Sequence, residues 1–312
     1  MNIAVENRAS VVLYNYLRSN CMSNVFAIPA NVCPIVPLIF ITAGVKFRFV
    51  DISTSTHAVD KDKVYKMLKD GSIDSLLFVH AYGCQYVNDS FFKRLKLNGC
   101  KYIIEDKCLC IPSLPSEITK SCTDLFLFST GYAKFVEFGK GGYGFYNGNY
   151  TSHQSDDYCY SRKDYDKVFE DIRIALLENN HFSYIPCSWL DFTPFSKNDY
   201  FENIERERER IVNHKKLINL IYSEILPIDI QMGQDFTNWR YMVLSNQRDL
   251  YLKHIFDAGF FAGKNYPSVS YLYDLSNSPN AEMEATKILN LFNDFRIDEP
   301  TAISIANIIR NI

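Results

Sequence analysis

The sequence has little of what membrane-spanning, disulfide-built and nucleic-acid-binding chains depend on. Its most apolar stretch, Val32 to Val45, is interrupted by Pro34 and Pro37 and falls short of the roughly 20 residues that cross a bilayer. No charged-then-apolar leader with a cleavage site is read at the N-terminus. The expectation is a soluble, cytoplasmic protein with no membrane partner. Nine cysteines is an odd number, and they are scattered, with Cys108 and Cys110 the one close pair and no C-x-x-C. That spacing speaks against a disulfide framework and against a zinc site, so no metal is expected. The sequons at Asn88 and Asn149 therefore carry little weight. With a formal net charge of -3 and both signs interspersed, there is no basic stripe to track a phosphate backbone, and nucleic acid is excluded as a partner. G-x-S-x-G and H-E-x-x-H are missing, and the G-K-G-G run at 139–142 lacks the spacing and the hydroxyl residue of a nucleotide-binding loop.

What remains is the balance of an ordinary globular chain: 47% hydrophobic and 22% charged residues in 312, enough for a large domain and a smaller one. Near-continuous apolar runs of strand length recur at Val25–Ile28, Phe47–Ile52, Ser75–Val79, Tyr102–Glu105 and Leu125–Phe128, as strands buried on both faces require. Helical spacing fills the gaps at Pro34–Ala43, Asp60–Lys69 and Ser90–Asn98, each stopped by a glycine, Gly44, Gly71 or Gly99. The alternation predicts an α/β fold, a three-layer, mostly parallel sheet flanked by helices.

Beyond residue 150 the pattern predicts long helices at Arg162–Glu178 and Tyr200–Glu224. The I-E-R-E-R-E-R-I-V run in the second reads as a solvated face or a subunit contact. A strand at Trp239–Ser245 and helices near Leu250–Ala258, Ala281–Asn290 and Thr301–Arg310 predict a smaller α+β unit. The expected division is a large domain over 1–160, helices linking on to about 200, and a small domain over 200–312.

Ligands of such sheets sit beyond the carboxyl ends of the strands, and two predicted strand ends are polar: Glu105-Asp106 and Ser129. The densest cluster is F-S-T-G-Y-A-K-F-V-E-F-G-K-G-G, Phe128 to Gly142. A strand-end serine, a lysine five residues on and then glycines suit a phosphorylated aldehyde. Lys134 would condense with the aldehyde, Ser129 would bond the phosphate, and the glycines would let backbone approach the cofactor. Asp106 would sit beside a pyridine nitrogen.

These segments resemble, in order and spacing, the StrS/DegT-type nucleotide-sugar aminotransferases, pyridoxal-phosphate enzymes of fold type I. A-I-P-A-N-V-C-P through F-V-D-I, residues 27–52, resembles the family's second strand, helix and third strand. F-V-H-A-Y-G resembles its V-H-x-x-G turn, I-I-E-D-K-C-L its strand ending in the pyridinium aspartate, and S-P-N-A-E-M-E-A-T-K-I-L-N-L-F the start of its last helices. The resemblance implies pyridoxal 5'-phosphate held by Lys134, Asp106 and Ser129. Asn7, Arg8 and Ala9 stand at the N-terminal phosphate turn, Cys33 at the ring-stacking position, and His80 beside the ring. It also implies a nucleotide-linked keto sugar as acceptor, an amino acid such as glutamate as donor, and a homodimer.

The departures are specific. Leu109 stands where the family has a glutamine, Arg8 where it has a threonine, and Trp189–Pro194 where a G-x-N-x-R segment from the neighbouring subunit reaches the phosphate. They motivate a second expectation, a catalytically weakened relative that binds cofactor or sugar nucleotide as a regulatory or structural protein. A sugar dehydratase is disfavoured because the lysine is kept.

Overall fold

A computed structural model describes residues 1–273 and 277–312. In chain order the first part runs β1 (Asn2–Glu6), α1 (Ala9–Asn20), β2 (Val25–Pro29), α2 (Ile35–Ala43), β3 (Lys46–Val50), α3 (Lys61–Lys69), β4 (Ser75–Val79), α4 (Asp89–Leu97), β5 (Tyr102–Asp106), β6 (Leu125–Ser129) and β7 (Gly142–Tyr146). Then come α5 (Arg162–Glu178), α6 (Tyr200–Ile225), β8 (Tyr241–Leu244), α7 (Arg248–Asp257), β9 (Ala262–Gly263), α8 (Ser270–Tyr273), α9 (Pro279–Ala285), β10 (Ile288–Leu291) and α10 (Glu299–Arg310). Seven strands form one sheet in the order β1-β7-β6-β5-β4-β2-β3. The strands from β2 to β6 are mutually parallel, whereas β7 runs antiparallel to both β6 and β1. A second sheet, β8-β10-β9, is antiparallel throughout.

The period of two along each strand divides the large sheet's side chains between two helical layers. Leu77 and Val79 of β4 join α1, α2 and α5 in one core, together with Leu125 and Leu127 of β6. Leu76 and Phe78 turn the other way, onto Val64 of α3 and Phe91, Phe92 and Leu95 of α4. Phe126 and Phe128 also face away from α1 and meet Tyr143, Tyr200 and Ile204. Helix ends are fixed locally: Asp60 accepts the amides of Asp62 and Lys63 at 3.0 and 3.1 Å to start α3, and Gly44, left-handed at φ 75°, ends α2.

Three expectations need correction. β1 and β7 were not anticipated; the glycine-broken G-Y-G-F-Y hides a strand whose missing side chains make room for α1. The predicted helix at Ala281–Asn290 is instead α9 followed by β10. Its four residues, I-L-N-L, are all buried as the middle strand of the second sheet, and hydrogen bonds to β8 and β9 on both sides outweigh continuing a helix. The charge run in α6 is not wholly solvated, because Arg208 forks onto Glu117 at 2.7 and 2.8 Å and bonds the Pro112 carbonyl at 3.1 Å.

The glycines at the start of β7 serve packing rather than a cofactor. A Cβ on Gly142 would lie 2.1 Å from the Ala9 amide nitrogen, and one on Gly141 would lie 2.5 Å from Thr130 Oγ1. Neither position tolerates a side chain, and the Gly142 clash is with backbone that cannot swing away. Gly142→Ala should therefore cost at least about 2 kcal/mol of unfolding free energy. Gly71→Ala, left-handed at φ 76° but in open space, should cost about 1 kcal/mol; urea unfolding of the two variants checks the order.

Candidate active site

β4, β5 and β6 end side by side, and their ends carry His80, Asp106 and Ser129. His80 follows β4 directly, and its amide donates to the Asp106 carbonyl at 3.0 Å. Asp106, the last residue of β5 and buried, accepts the Cys108 amide on Oδ1 at 2.9 Å. Ser129 ends β6, and its Oγ accepts the Gly131 amide at 3.2 Å. The chain then makes an irregular turn, with Ala133 left-handed at φ 55°, and the next residue, Lys134, projects from it. Among the described residues no acceptor lies within hydrogen-bonding distance of its Nζ.

One small cavity brings together Lys134, Asp106, Cys33 and His80, along with Asn31 and Tyr266. Its free volume is about 20 Å³, room for roughly one water. Lys134 also borders a second, open cleft of about 820 Å³, walled by Phe138, Phe195 and Phe295 and carrying Lys140, Arg206 and Arg296. Lys134 thus lines both a small cavity and an open cleft.

Burial opposes the Lys134 charge, but Tyr266, Cys108, Cys33 and Asp106 around it outweigh that effect and hold its pKa above the ordinary lysine value. Burial pushes the Cys33 and Cys108 thiols and the Tyr266 hydroxyl upward as well.

The N-terminal candidates gather on the other flank of the turn. Arg8 leads into α1 and donates from Nη1 to the Gly139 carbonyl at 2.7 Å; its Nε, 3.7 Å from Asp191 Oδ2, is buried without a hydrogen-bond partner. A Cβ on Gly131 would lie 3.4 Å from Ser129 Oγ and 3.9 Å from Arg8 Nη1, so Arg8, Ser129 and the Gly131 backbone converge. Asn7 is engaged elsewhere: its amide donates to Asp191 Oδ2 at 2.6 Å, and its carbonyl accepts from the Gly141 amide at 2.7 Å. Ala9 is the first residue of α1, with its amide against Gly142. The segment at Trp189–Pro194 therefore supplies Asp191 to Arg8 and Asn7 of its own chain.

Both ring nitrogens of His80 are occupied. Nε2 lies 2.7 Å from Glu105 Oε2, and Nδ1 faces the Cys84 carbonyl at 3.1 Å and the Tyr86 amide at 3.3 Å. Only the ring is left to line the cavity. Leu109, at the departure from the family glutamine, is buried against Trp239, Met242 and Ile288.

Sequence reasoning missed Asn31, Tyr266 and a buried network behind them. Glu284 of α9 accepts from Tyr82 Oη at 2.5 Å, lies 3.5 Å from Asn31 Nδ2 and pairs with His57 Nδ1. Asn31 Oδ1 is buried with no partner. Asn31 was findable as a polar residue just past a strand end. Tyr266 was not, since it arrives from the second sheet's side, with its ring stacked on Trp239 at 5.7 Å and 12°.

Among the described residues no helix is long and apolar enough to cross a membrane, and no cluster of His, Cys, Asp or Glu is placed to hold a metal. All nine cysteines are free thiols.

Beneath the site, burial alone would raise the Glu105 pKa, but the hydrogen bond and charge of His80, the charge of Lys107 and a hydrogen bond from Thr123 outweigh it and hold the pKa below 4.5. A depressed carboxylate stabilises the fold above its unfolded pKa, and that contribution is lost as pH falls through the folded value. Glu105→Gln should therefore cost about 2–3 kcal/mol at pH 7, and the gap to the wild type should narrow below about pH 4.5, as urea unfolding at several pH values would show.

No protein-family model and no curated protein sequence matches the chain. Solved structures do. A putative sugar aminotransferase from Streptococcus pneumoniae in its PMP form superposes with a TM-score of 0.70 at 14% identity, covering 99% of this chain and 87% of that one. DesV from S. venezuelae, in complex with a ketimine intermediate, gives 0.71 at 16%, covering 99% and 84%. PseC from Helicobacter pylori, an aminotransferase involved in pseudoaminic acid biosynthesis, gives 0.71 at 13%, covering 100% and 86%. Over essentially its whole length the chain has the fold type I architecture of these sugar aminotransferases.

Proposed function

We propose that the chain is a pyridoxal-phosphate-dependent aminotransferase that moves an amino group from an amino acid such as glutamate to a keto sugar carried on a nucleotide. The observation that carries the reading is the unpaired Lys134 amine sharing one cavity with Asp106, at the strand ends of this fold. The donor chemistry suits the cofactor: an amine for its aldehyde, a carboxylate for its ring nitrogen, and Arg8 with an unpartnered Nε beside Ser129 for its phosphate. When bound, pyridoxal phosphate supplies an electron sink for the carbanion formed as a proton leaves the substrate carbon.

The remaining work falls to the protein. Lys134 would hold the cofactor, and its Nζ would take the proton from the substrate carbon and return it. Asp106 would accept a hydrogen bond from the protonated ring nitrogen, and Asp191 would orient Arg8 toward the phosphate. The cleft bordered by Lys140, Arg206 and Arg296 leads substrate to Lys134, and its aromatic walls and cations suit a nucleotide diphosphate. A homodimer, a cytoplasmic location and a division into domains at 1–160 and 200–312 belong to the same reading.

The small volume of the cavity at Lys134 and Asp106, about 20 Å³, motivates one rival, a relative that no longer turns over. Adding glutamate to the loaded protein separates the two, because an aminotransferase loses its visible lysine-bound absorption in the half-reaction and a binding protein keeps it.

The wild type should develop a visible band with pyridoxal phosphate, and Lys134→Ala should abolish it; a band unchanged in that variant sinks the assignment. Because the Lys134 pKa is raised, the free amine grows about tenfold per pH unit below that pKa, so the rate of cofactor uptake should climb from pH 7 to pH 9 in stopped-flow absorbance. Tyr266 lines the small cavity shared by Lys134 and Asp106 and takes up part of its volume. Tyr266→Ala should therefore speed uptake at fixed pH, and an unchanged rate would show that the side chain is no obstacle.

A further inference from the structure

The turn that carries Lys134 is held from behind by a residue outside both cavities' chemistry. Lys215, on α6 and 4% exposed, donates to the Trp239 carbonyl at 2.7 Å and to Asn293 Oδ1 at 2.5 Å. Asn293 donates in turn to the Thr237 carbonyl and to Asn219 Oδ1, both at 2.8 Å, so the 237–239 segment is fastened to α6. From that anchor the Trp239 indole N–H reaches out to the Ala133 carbonyl at 2.7 Å. Ala133 is the left-handed residue immediately before Lys134. The indole has little freedom to shift, because a Cβ on Gly83 would already sit 3.0 Å from Trp239 Cβ, and its ring stacks on Tyr266.

We propose that Lys215 is a positioning residue for Lys134, acting through the carbonyl and indole of Trp239 on the Ala133–Lys134 peptide; this rests on the reading of Lys134 as the reactive amine. Packing alone does not explain an amine here. Its Nζ lies 5.2 Å from the Phe135 ring and Phe135 packs with Ile211, a setting a methionine would fill without the cost of desolvating a charge. What the amine adds is two directed hydrogen bonds, one of them to the residue that grips the Lys134 turn. Burial, opposed by the charge of Asp294 and reinforced by Arg240 and Arg296, lowers its pKa to about 7; Glu137 faces the same group through Arg296. The relay's first donor therefore changes charge near neutral pH, below the range in which Lys134 itself titrates.

Competitive amine labelling of the cofactor-free protein between pH 5.5 and 10, with Lys134 followed by peptide mass spectrometry, reads the relay directly. The wild-type Lys134 profile should show an inflection near pH 7 on top of the about tenfold rise per pH unit of an amine below its pKa. Lys215→Met should remove that inflection and change Lys134 reactivity at least threefold. Trp239→Phe, which keeps a ring and loses the indole donor, should do the same and carries the test if Lys215→Met does not fold. Tyr222→Phe removes a hydrogen bond from the same helix to the Phe292 carbonyl, off the relay, and should leave the profile unchanged. The proposal is overturned if the folded Lys215 or Trp239 variants superpose on the wild type, or if Tyr222→Phe shifts the profile equally. Since labelling needs no cofactor, a wild type without the visible band would overturn the cofactor reading and leave this test standing.

Discussion

The hydrogen bond from the Trp239 indole to the Ala133 carbonyl joins the two sheets at the point where the chemistry is concentrated. After β6 the chain must reverse into antiparallel β7, and it does so through a turn with a non-glycine residue at φ 55°, a conformation that costs about 1–2 kcal/mol. Such a turn persists only where its surroundings over-determine it. Here the tethers come from several directions: Trp239 from beside β8, the Thr130 hydroxyl to the Lys140 carbonyl at 2.7 Å with Tyr200 Oη at the same distance, and Arg8 to the Gly139 carbonyl. Lys134 is thus a side chain without a hydrogen bond among the described residues, on a firmly held backbone, the arrangement a reactive amine requires.

Strands in the middle of the large sheet were legible because both of their faces are buried, so their residues run continuously apolar; Leu76–Val79 and Leu125–Phe128 could hardly be anything else. β7 was not legible, because its glycines answer to the close approach of α1, a tertiary fact with no local trace. β10 failed for a related reason. I-L-N-L after a helical segment fits either period over four residues, and only its two flanking strands decide the matter. The glycine cluster was read as cofactor-facing for the same want of context, whereas its neighbours are Ala9, Thr130 and Tyr200.

At the site, what could be read were groups whose position follows from a strand end: Asp106, Ser129, His80 and, by its fixed offset, Lys134. What could not be read were groups delivered by distant segments. Glu284 sits in A-E-M-E-A-T, which looks like an exposed helical turn, yet it is buried under Tyr82 and His57. Tyr266 comes from a loop with no periodic pattern. Asp191 lies in a segment notable in sequence only for departing from a family motif, and its value emerges from Asn7 and Arg8 lying against it.

That last contact bears on how Arg8 is held. In the Trp189–Pro194 segment this chain sets a carboxylate, Asp191, buried to 7% exposure, against its own Arg8. An arginine whose Nη1 is bonded to the Gly139 carbonyl and whose Nε faces Asp191 has its plane fixed before any anion arrives, and a pre-oriented guanidinium loses less entropy on binding than a free one. Arg8 and Lys134 then hang from the same turn, Arg8 through Gly139 and Lys134 through Ala133, so that the spacing between guanidinium and amine is set by one short piece of backbone.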